Sequence, residues 1–384
     1  MRGNGRRGLR IARAPSPDRP AVLITGGAGF IGTNLAHRLL AQGTPVLVFD
    51  NLSRPGVERN LDWLRANHGA LLRVEVADIR DRAAVQRAVR HASHVVHLAA
   101  QVAVTTSLHD PVHDFDVNAR GTLNLLTALH TLSTPPPLLY TSTNKVYGQL
   151  GDVRLQARGS RYVPADAELD HGGIAEDRPL AFDSPYGCSK GAADQYVLDF
   201  GRTLGLRTVV FRMSCIYGPR QFGTEDQGWV AHFLIRALRN EAITVYGDGR
   251  QVRDVLFVDD LVEAIVLALR NIERCSGHAF NIGGGVTNTT SLLELLALIA
   301  ELTNRAPAVR FDEWRPGDQR YYVSNARRFS MLTGWRPRVG VREGTRALHD
   351  WLVAADVPAM LATLPAGGTA STPPLVLAAA VAHR

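Results

Sequence analysis

The sequence predicts an α/β protein, with a doubly wound parallel sheet and a smaller C-terminal α/β lobe for a substrate. Short apolar runs typical of buried strands alternate with helical stretches, the pattern that places helices on both faces of a parallel sheet. The first of these runs leads into a glycine-rich turn, and a helix follows. With 384 residues, 45% of them hydrophobic, the chain is long enough for one large domain or two associated lobes.

The glycine-rich turn, Thr25–Gly32, predicts a dinucleotide-binding unit of the Rossmann type. It follows the apolar run Ala21–Ile24 and precedes a helix. Glycines 26, 29 and 32 allow the backbone to approach a pyrophosphate closely, and the helix N-terminus offers N–H donors and the positive end of its dipole. The alternative, an ordinary glycine-rich turn, is opposed by the strand that follows.

An acidic residue ends the second predicted strand. The apolar run Val46–Phe49 is followed by Asp50, and an acid about 20 residues beyond such glycines hydrogen-bonds the adenosine ribose of a dinucleotide. A carboxylate there repels the 2′-phosphate of NADP, so the sequence predicts NAD as the cofactor. Arg54 is close enough in sequence to leave NADP as an alternative.

Two further strands, Leu72–Val76 and His94–Leu98, continue the pattern. Asp78-Ile79 follows the first of them and is placed to flank an adenine. The small residues of Ala99–Gln101 follow the second and leave room for a nicotinamide ring. The carboxyl ends of these strands are therefore expected to form the cofactor site.

Two histidines, His94 and His97, raise the question of a metal site. Residues three apart on a strand point to opposite faces of the sheet. The sequence also has no cluster of cysteines or carboxylates with ligand spacing. We therefore predict no metal site.

Lysine is nearly absent from this chain, since Lys145 and Lys190 are the only lysines among its 43 Lys and Arg residues. Lys190 lies four positions after Tyr186, so on a helix the two side chains share one face. A nearby ammonium lowers the pKa of a phenol from about 10 toward a value useful in proton transfer. Alone, such a pair is as typical of a solvated helix face, but the dinucleotide motif upstream favours a catalytic pair.

The predicted elements divide the chain into four parts. These are a disordered Arg-rich leader at 1–20, a mainly NAD-binding domain at 21–222 with contributions from about 250–285, a mainly substrate-binding lobe at 223–350, and a low-complexity tail at 352–384. In the second half, Val255–Val258 predicts a strand, whereas Asp259–Ala268 and Ser291–Leu302 predict helices.

The net charge of +7 does not indicate nucleic acid binding, because six arginines and one acid, Asp18, place most of it in residues 1–20. The apolar run Leu375–Ala382 is much shorter than the roughly 20 residues of a membrane span. Three unevenly spaced cysteines predict no disulfide framework and a reducing cytoplasm. We expect neither a nucleic acid nor a membrane as partner.

In this order, the turn Thr25–Gly32, the segment Asp50–Ser53, Thr143 and the Tyr186/Lys190 pair resemble the extended short-chain dehydrogenase/reductase family of nucleotide-sugar epimerases and dehydratases. The resemblance extends from residue 21 to about 351. Longer stretches are similar to the subfamily that acts on C-2 of CDP-linked sugars, of the CDP-paratose or CDP-tyvelose type. These stretches are His97–Ser107, Ser142–Gly148, Ser184–Tyr196 and Arg220–Trp229.

The resemblance implies an epimerase that keeps NAD bound, because no redox equivalent is consumed overall. Thr143 is expected to hydrogen-bond the reacting sugar hydroxyl, Tyr186 to act as acid and base, and Lys190 to hold the nicotinamide ribose and polarise Tyr186. The hydroxyl loses its proton as hydride passes to NAD, the ketone presents its other face, and the hydride returns. The implied substrate is a nucleoside diphosphate sugar, and relatives are commonly homo-oligomers.

Residues for both ligands follow from the motifs and the resemblance. The expected cofactor residues are Gly26, Gly29, Phe30, Ile31, Gly32, Asp50, Asn51, Ser53, Asp78, Ile79, Leu98, Ala99, Ala100, Gln101, Asn118, Ser142, Tyr186 and Lys190. The expected substrate residues are Thr143, Asn144, Ser214, Cys215, Gln227, Gly228, Arg253 and Arg315. Cys215 departs from the family, in which Asn is common at this position, so a pyrophosphate contact is lost or passes to Ser214.

The residues after Thr143 separate the candidate activities. The 4,6-dehydratases of the family carry an Asp-Glu pair there to eliminate water, whereas this chain has Asn144 and Lys145, which disfavours a dehydratase. A UDP-hexose 4-epimerase is the main alternative, since it shares the fold, the cofactor and the Tyr/Lys pair. A non-catalytic dinucleotide-binding protein is disfavoured because all three expected catalytic residues are present.

Overall fold

The computed structural model describes residues 20–315 and 317–357. The strands are β1 (Ala21–Thr25), β2 (Val46–Asp50), β3 (Leu72–Val76), β4 (Ala92–His97), β5 (Leu138–Thr143), β6 (Leu155–Arg158), β7 (Arg161–Pro164), β8 (Thr208–Met213), β9 (Cys215–Tyr217), β10 (Ile243–Tyr246), β11 (Val252–Phe257), β12 (His278–Ile282), β13 (Thr289–Ser291), β14 (Val309–Asp312) and β15 (Tyr321–Tyr322).

The helices are α1 (Phe30–Ala41), α2 (Val57–His68), α3 (Arg82–Val89), α4 (Val104–His109), α5 (Pro111–Phe115), α6 (Gly121–His130), α7 (Ala167–Gly172), α8 (Ser184–Arg202), α9 (Trp229–Leu238), α10 (Val258–Arg270), α11 (Ile272–Cys275), α12 (Leu292–Thr303), α13 (Arg327–Thr333) and α14 (Val341–Ala354). A π-helical turn, Asp116–Arg120, joins α5 to α6.

Seven parallel strands form the main sheet, in the order β12-β8-β5-β4-β1-β2-β3. The chain reverses its direction of winding between β1 and β4, which creates a crevice at the carboxyl ends of these strands. Residues of α1, α2 and α10 pack in the core on one face, and residues of α3, α6 and α8 pack in the core on the other. The predicted doubly wound parallel sheet is confirmed.

The sequence predicted the bounds of β1, β2 and β3 to within one residue, and each of these strands is followed by a glycine or a polar residue close by. Leu72–Val76 is β3, and the predicted Ala21–Ile24 and Val46–Phe49 each extend by one residue in β1 and β2. The strand predicted at His94–Leu98 starts two residues earlier, at Ala92, and ends at His97. The sequence analysis did not identify β5, β8 and β12, which form one side of the sheet.

A second, smaller lobe is built around β11. It pairs with β13, β15 and β9, while β10 and β14 form a separate parallel pair. Helices α9, α12 and α14 share a hydrophobic core with these strands. Strand β12 pairs in the main sheet, and residues of α10 together with Leu256 of β11 pack in its core. The predicted contribution of residues 250–285 to the NAD-binding domain remains a prediction.

The ends of the chain differ in part from expectation. Helix α14 continues to Ala354, and Leu352 and Val357 are both fully buried, so the tail predicted to start at residue 352 begins inside an ordered helix. Leu352 of this helix and Val357, three residues beyond its end, both pack in the core of the small lobe. The predicted leader up to residue 19 and the tail from 358 lie outside the described residues, and the division at 222/223 remains a prediction.

A buried ion pair ties α8 to the main sheet. Asp194 of α8 accepts from Arg212 Nε and Nη2 of β8, both at 3.0 Å, and the two side chains are 0% and 6% exposed. Arg212 also donates to the Tyr147 hydroxyl at 3.2 Å. Because each charge is removed from water, the loss of one partner leaves the other without compensation.

We expect Asp194→Asn to lower the free energy of unfolding by about 3–5 kcal/mol, since the Arg212 guanidinium stays buried without a counter-charge. Urea denaturation measures this. Asp62→Asn is the matched control, because it breaks the exposed pair with Arg65, where a change of roughly 0.5 kcal/mol or less is expected. Equal losses in the two variants would contradict the structural role of the buried pair.

Candidate active site

The glycine turn lies between β1 and α1 and is packed too tightly for side chains. A Cβ atom on Gly26, whose φ is +68°, would be 2.7 Å from the Ala99 backbone nitrogen. A Cβ atom on Gly32 would be 2.4 Å from the Gly26 carbonyl oxygen. Helix α1 begins at Phe30, and its N-cap, Gly29, makes no side-chain capping bond, so the helix N-terminus suits an anion such as pyrophosphate.

Asp50 lies at the carboxyl end of β2 and is held against the glycine turn. Its carboxylate accepts from the backbone nitrogen of Ala28 at 3.0 Å and of Leu52 at 2.9 Å. Burial raises the pKa of Asp50, and these backbone bonds and Arg54 oppose the rise. The predicted ribose acid is thus next to the predicted pyrophosphate turn.

The loops after β2 and β3 bring the other residues expected to contact the adenosine of NAD close to Asp50. Asn51 donates to Asp78 at 2.8 Å, and its side-chain oxygen accepts from the backbone of Ser53 at 3.1 Å. Ile79 is 4% exposed and packs in the hydrophobic core, so Asp78 is the more accessible member of that pair. The order β1-β2-β3 requires this meeting at the carboxyl ends of the strands.

Residues 98–101 follow β4 and are fixed by Asn118. The Asn118 side chain accepts from the Gln101 backbone nitrogen at 2.9 Å and donates to the Gln101 carbonyl at 3.0 Å. Asn118 also donates to Ser189 of α8 at 3.0 Å and is buried in the π-helical turn. Its contacts shape the loop expected to receive the nicotinamide, with Leu98 and Ala100 both half-buried.

Thr143 and Tyr186 come together at the carboxyl end of β5. Thr143 is the last residue of β5, and its hydroxyl donates to the Asn144 side chain at 3.3 Å. Tyr186 is in the first turn of α8, where the nearby Thr143 hydroxyl lowers the pKa of its phenol. The neighbouring Ser142 hydroxyl is buried and has no partner among the described residues, which fits a polar group supplied by a bound cofactor. Thr143 and Tyr186 are 8% exposed, so a ligand reaches them only within the cleft.

Lys190 is buried one turn after Tyr186. Its Nζ donates to the Thr141 carbonyl oxygen at 2.6 Å and lies 4.3 Å from the centre of the Tyr140 ring. Burial lowers the pKa of the Lys190 ammonium to about 7, although Asp194 and Asp114 oppose this. A buried ammonium next to the carboxyl end of β5 matches the position predicted for it.

The phenol of Tyr186 has a higher pKa than the sequence predicted. Burial raises its pKa to about 12, and the bond with Thr143 only partly offsets this. Burial therefore outweighs the lowering expected from Lys190, whose ammonium donates to the Thr141 carbonyl, and the polarisation of Tyr186 by Lys190 remains a prediction. Proton transfer near neutral pH therefore needs further positive charge in the site.

Two cations, Lys145 after β5 and Arg253 of the smaller lobe, meet one carboxylate. Arg253 donates to Asp318 at 2.8 Å, and the Lys145 Nζ lies 3.7 Å from the same carboxylate and donates to the Gly317 carbonyl at 3.0 Å. Burial alone would raise the pKa of Asp318, but Arg253 and Lys145 keep it below its usual value. Asn144 donates to the Gln319 side chain at 3.0 Å, so the predicted substrate residues after β5 face this group.

Arg315 lies among acidic residues of the small lobe. It donates to the carbonyl and the carboxylate of Glu225, both at 3.1 Å, and lies 3.5 Å from the Asp226 carboxylate. Its guanidinium also stacks 3.7 Å over the Tyr246 ring. A phosphate bound by Arg315 would therefore replace carboxylate contacts that the residue already makes.

Gln227 and Gly228 lie at the start of α9. Gln227 accepts from Arg54, so it links the small lobe to the loop that follows Asp50. Gly228 has the left-handed conformation, with φ of +76°, and forms the N-cap of α9. The predicted cofactor and substrate regions therefore meet at this point.

Ser214 and Cys215 have different surroundings. The Ser214 hydroxyl donates to Asp254, both to its carbonyl at 2.8 Å and to its carboxylate. The half-buried Cys215 thiol accepts from Trp229 Nε1 at 3.5 Å, and burial raises its pKa. If Ser214 takes over the pyrophosphate contact from Cys215, the pyrophosphate competes with Asp254 for the Ser214 hydroxyl.

Several supporting residues were missed by the sequence analysis. Asp194, Asp114 and Asp318 act through a partner distant in sequence, respectively Arg212, Ser189 and Arg253. No local motif marks them. His97, considered and rejected as a metal ligand, is buried with ring nitrogens 2.6 Å from the Thr25 hydroxyl and 2.9 Å from the Thr122 hydroxyl.

The glycine turn, the acid after β2 and the buried Thr143–Tyr186–Lys190 group define a class of dinucleotide-dependent enzymes of the short-chain dehydrogenase/reductase type. Residues 22–283 match the model of the NAD dependent epimerase/dehydratase family. The chain belongs to this family, which confirms the predicted family, enzyme class and NAD cofactor. No helix in the described part of the chain combines the length and apolar character needed to cross a membrane.

Individual relatives cover nearly the same region. The chain is 43% identical to a CDP-paratose 2-epimerase of Salmonella typhi, over 86% of this chain and 98% of the relative. It is 34% identical to a dTDP-glucose 4,6-dehydratase of Streptomyces griseus, over 86% and 93%. A Thermus thermophilus UDP-glucose 4-epimerase solved in complex with NAD is 36% identical, with a TM-score of 0.73 over 87% of this chain and 99% of that one.

The lowered pKa of Lys190 predicts a pH dependence of stability in protein freed of NAD. Between the folded value of about 7 and the ordinary 10.5, the unfolded chain holds a proton that the folded chain has released. The free energy of unfolding therefore rises with pH across this window.

Urea denaturation from about pH 7 to about pH 10 tests this. In Lys190→Met, which keeps the length of the side chain without its charge, the free energy of unfolding should rise less steeply with pH than in wild type. Parallel curves would show that Lys190 remains charged in the fold.

Proposed function

We propose that this protein is an NAD-dependent epimerase that inverts C-2 of a CDP-linked deoxyhexose, of the CDP-paratose or CDP-tyvelose type, through a transient ketone. The observation that carries the proposal is the burial of Thr143, Tyr186 and Lys190 at the carboxyl end of β5, in a chain 43% identical to a CDP-paratose 2-epimerase over nearly its whole described length. The substrate is a nucleoside diphosphate sugar.

The residues around the cleft fit NAD, and different residues suit different parts of the cofactor. Gly26, Gly29 and Gly32 admit the pyrophosphate, Asp50 accepts from the ribose, and Ser142 offers an unpartnered hydroxyl. When bound, NAD supplies the hydride acceptor and, in its oxidised form, a positive charge. That charge favours the phenolate of an adjacent tyrosine, which offsets the effect of burial on its pKa.

Thr143 and Tyr186 handle the proton. Thr143 orients the sugar hydroxyl by a hydrogen bond, and the ionised Tyr186 oxygen takes the proton as the carbon loses hydride. The same phenol returns the proton when hydride comes back to the other face. Since Lys190 is anchored to the Thr141 carbonyl, the ammonium stays at a constant position throughout.

Neither residue that follows Thr143 carries a carboxyl group that could act as acid or base in an elimination. Asn144 is bonded to Gln319 and Lys145 to Gly317, at the positions where a dehydratase would carry Asp and Glu. The nearby Asp318 is held as a carboxylate by two cations, so it is a poor proton donor. These contacts support epimerisation over dehydration, although a dTDP-glucose 4,6-dehydratase is also a relative.

A UDP-hexose 4-epimerase is the second candidate, supported by the Thermus thermophilus structure at 36% identity. Both activities use the same proton and hydride chemistry and differ in the carbon presented to Tyr186. A non-catalytic dinucleotide-binding protein is disfavoured, since its fold would not need a buried Tyr–Lys pair at the cleft.

We further propose that the enzyme is a homo-oligomer in the cytoplasm. Exposed apolar side chains support the first point, because Leu108, Val112 and Phe115 lie 47%, 69% and 50% exposed on the adjoining helices α4 and α5. Free thiols on Cys188, Cys215 and Cys275 support a reducing compartment.

Incubation of the purified protein with CDP-paratose, and separately with UDP-glucose, distinguishes the two epimerase candidates. We expect inversion at C-2 of the CDP sugar, followed by NMR, and no inversion at C-4 of UDP-glucose. Mass spectrometry of material released by denaturation should identify NAD. Inversion at C-4 alone would reject the proposed substrate class.

Tyr186→Phe should lower kcat by about 10²–10⁴-fold, because it removes the group that exchanges the proton, while NAD remains bound. Tyr196→Phe on the same helix is the matched control, since Tyr196 is 46% exposed, and its turnover should equal that of wild type. Turnover by Tyr186→Phe at the wild-type rate would refute its role as acid and base.

A further inference from the structure

Lys145 and Arg253 form a cationic group with more positive than negative charge. Both contact the single carboxylate of Asp318, and the three side chains are 20%, 9% and 26% exposed. Arg253 lowers the pKa of the Lys145 ammonium, after burial, which shows that the two cations repel each other. A second anion between them would stabilise both charges.

Lys145 of this cationic group is hydrogen-bonded to Thr143, which lies next to Tyr186. The Lys145 backbone nitrogen donates to the Thr143 hydroxyl at 3.2 Å, two positions earlier in the chain. The Thr143 hydroxyl in turn is close enough to Tyr186 to lower the pKa of its phenol. The short turn after β5 therefore presents Thr143 to the reacting carbon and extends the Lys145 side chain toward Gly317 and Asp318 in the substrate lobe.

The chemistry of the proposed reaction places a phosphate near this turn. In a nucleoside diphosphate sugar, C-1 carries the β-phosphate, and C-2 is bonded directly to C-1. When C-2 lies against Thr143 and Tyr186, the β-phosphate must be close behind. When C-4 lies there, the phosphate is on the opposite side of the ring.

We propose that Lys145 binds the β-phosphate of the substrate and thereby presents C-2, rather than C-4, to Tyr186. The inference rests on the proposed function and adds a residue that determines which carbon reacts. Arg253 completes the phosphate site from the substrate lobe, and Asp318 holds both cations in place. In this chain of 384 residues with only two lysines, both are then used at the active site.

The alternative is that Lys145 only anchors the segment containing Gly317 and Asp318. The two roles differ in what removal of Asp318 does. If Lys145 binds phosphate, removal of the Asp318 carboxylate leaves the affinity of Lys145 for anions unchanged or raises it. If Lys145 only anchors the segment, removal of Asp318 has the same effect on binding as removal of Lys145.

The test measures binding of nucleotides without a sugar, by isothermal titration calorimetry on the NAD-loaded protein. We expect Lys145→Gln to weaken CDP binding by about tenfold or more, because a charged hydrogen bond to the β-phosphate is lost, and to leave CMP binding within about twofold. Arg310→Gln, at an exposed position of β14, is the matched charge control and should change neither. Unchanged CMP binding also shows that the variant is folded.

Asp318→Asn should bind CDP at least as tightly as wild type, and adding Lys145→Gln to it should again weaken CDP. If Asp318→Asn loses CDP affinity as Lys145→Gln does, or if Lys145→Gln weakens CMP and CDP equally, the phosphate role is overturned. Repeating the comparison with UDP and UMP separates the phosphate from the base. The NMR assay reads the inverted carbon independently, so unchanged CDP binding by Lys145→Gln in a protein that inverts C-2 rejects the role of Lys145 and leaves the proposed epimerisation standing.

Discussion

The active site depends on how α8 is held against the carboxyl ends of β5 and β8. Two buried cations hold it, Lys190 through the Thr141 carbonyl and Arg212 through Asp194. A charge removed from water has a strong preference for the geometry that satisfies it, so each cation restricts the position of the helix. Tyr186, at the start of α8, is thereby placed beside Thr143, at the end of β5.

A second buried network connects this helix to the cofactor side of the cleft. Ser189 of α8 donates to the Asp114 carboxylate and accepts from Asn118, which also holds the backbone of Gln101. The loop expected to receive the nicotinamide and the helix that carries the catalytic phenol therefore cannot move independently. This coupling suits a reaction in which hydride leaves a sugar carbon and the proton leaves the hydroxyl oxygen bonded to that carbon.

The parts of the fold that sequence predicted well are those with a local boundary. A glycine turn ends β1, an acid ends β2, and a capping box at Ser291 starts α12 one residue after the predicted position. Strands β5, β8 and β12 were missed, because a strand buried on both faces has no alternation of polar and apolar residues. Their places in the sheet depend on pairing with β4 and with one another.

The sequence alone determined the features that depend on spacing along the chain: the glycine turn, the acid after β2, and the single-turn separation of Tyr186 from Lys190. Tertiary structure decided the environment of these groups. Burial sets the pKa of Tyr186 at about 12, opposite to the shift expected from the lysine alone, and Asp318 is shared by Lys145 and Arg253. The reason is that desolvation and charge pairing arise from residues far apart in sequence, whose proximity exists only in the folded chain.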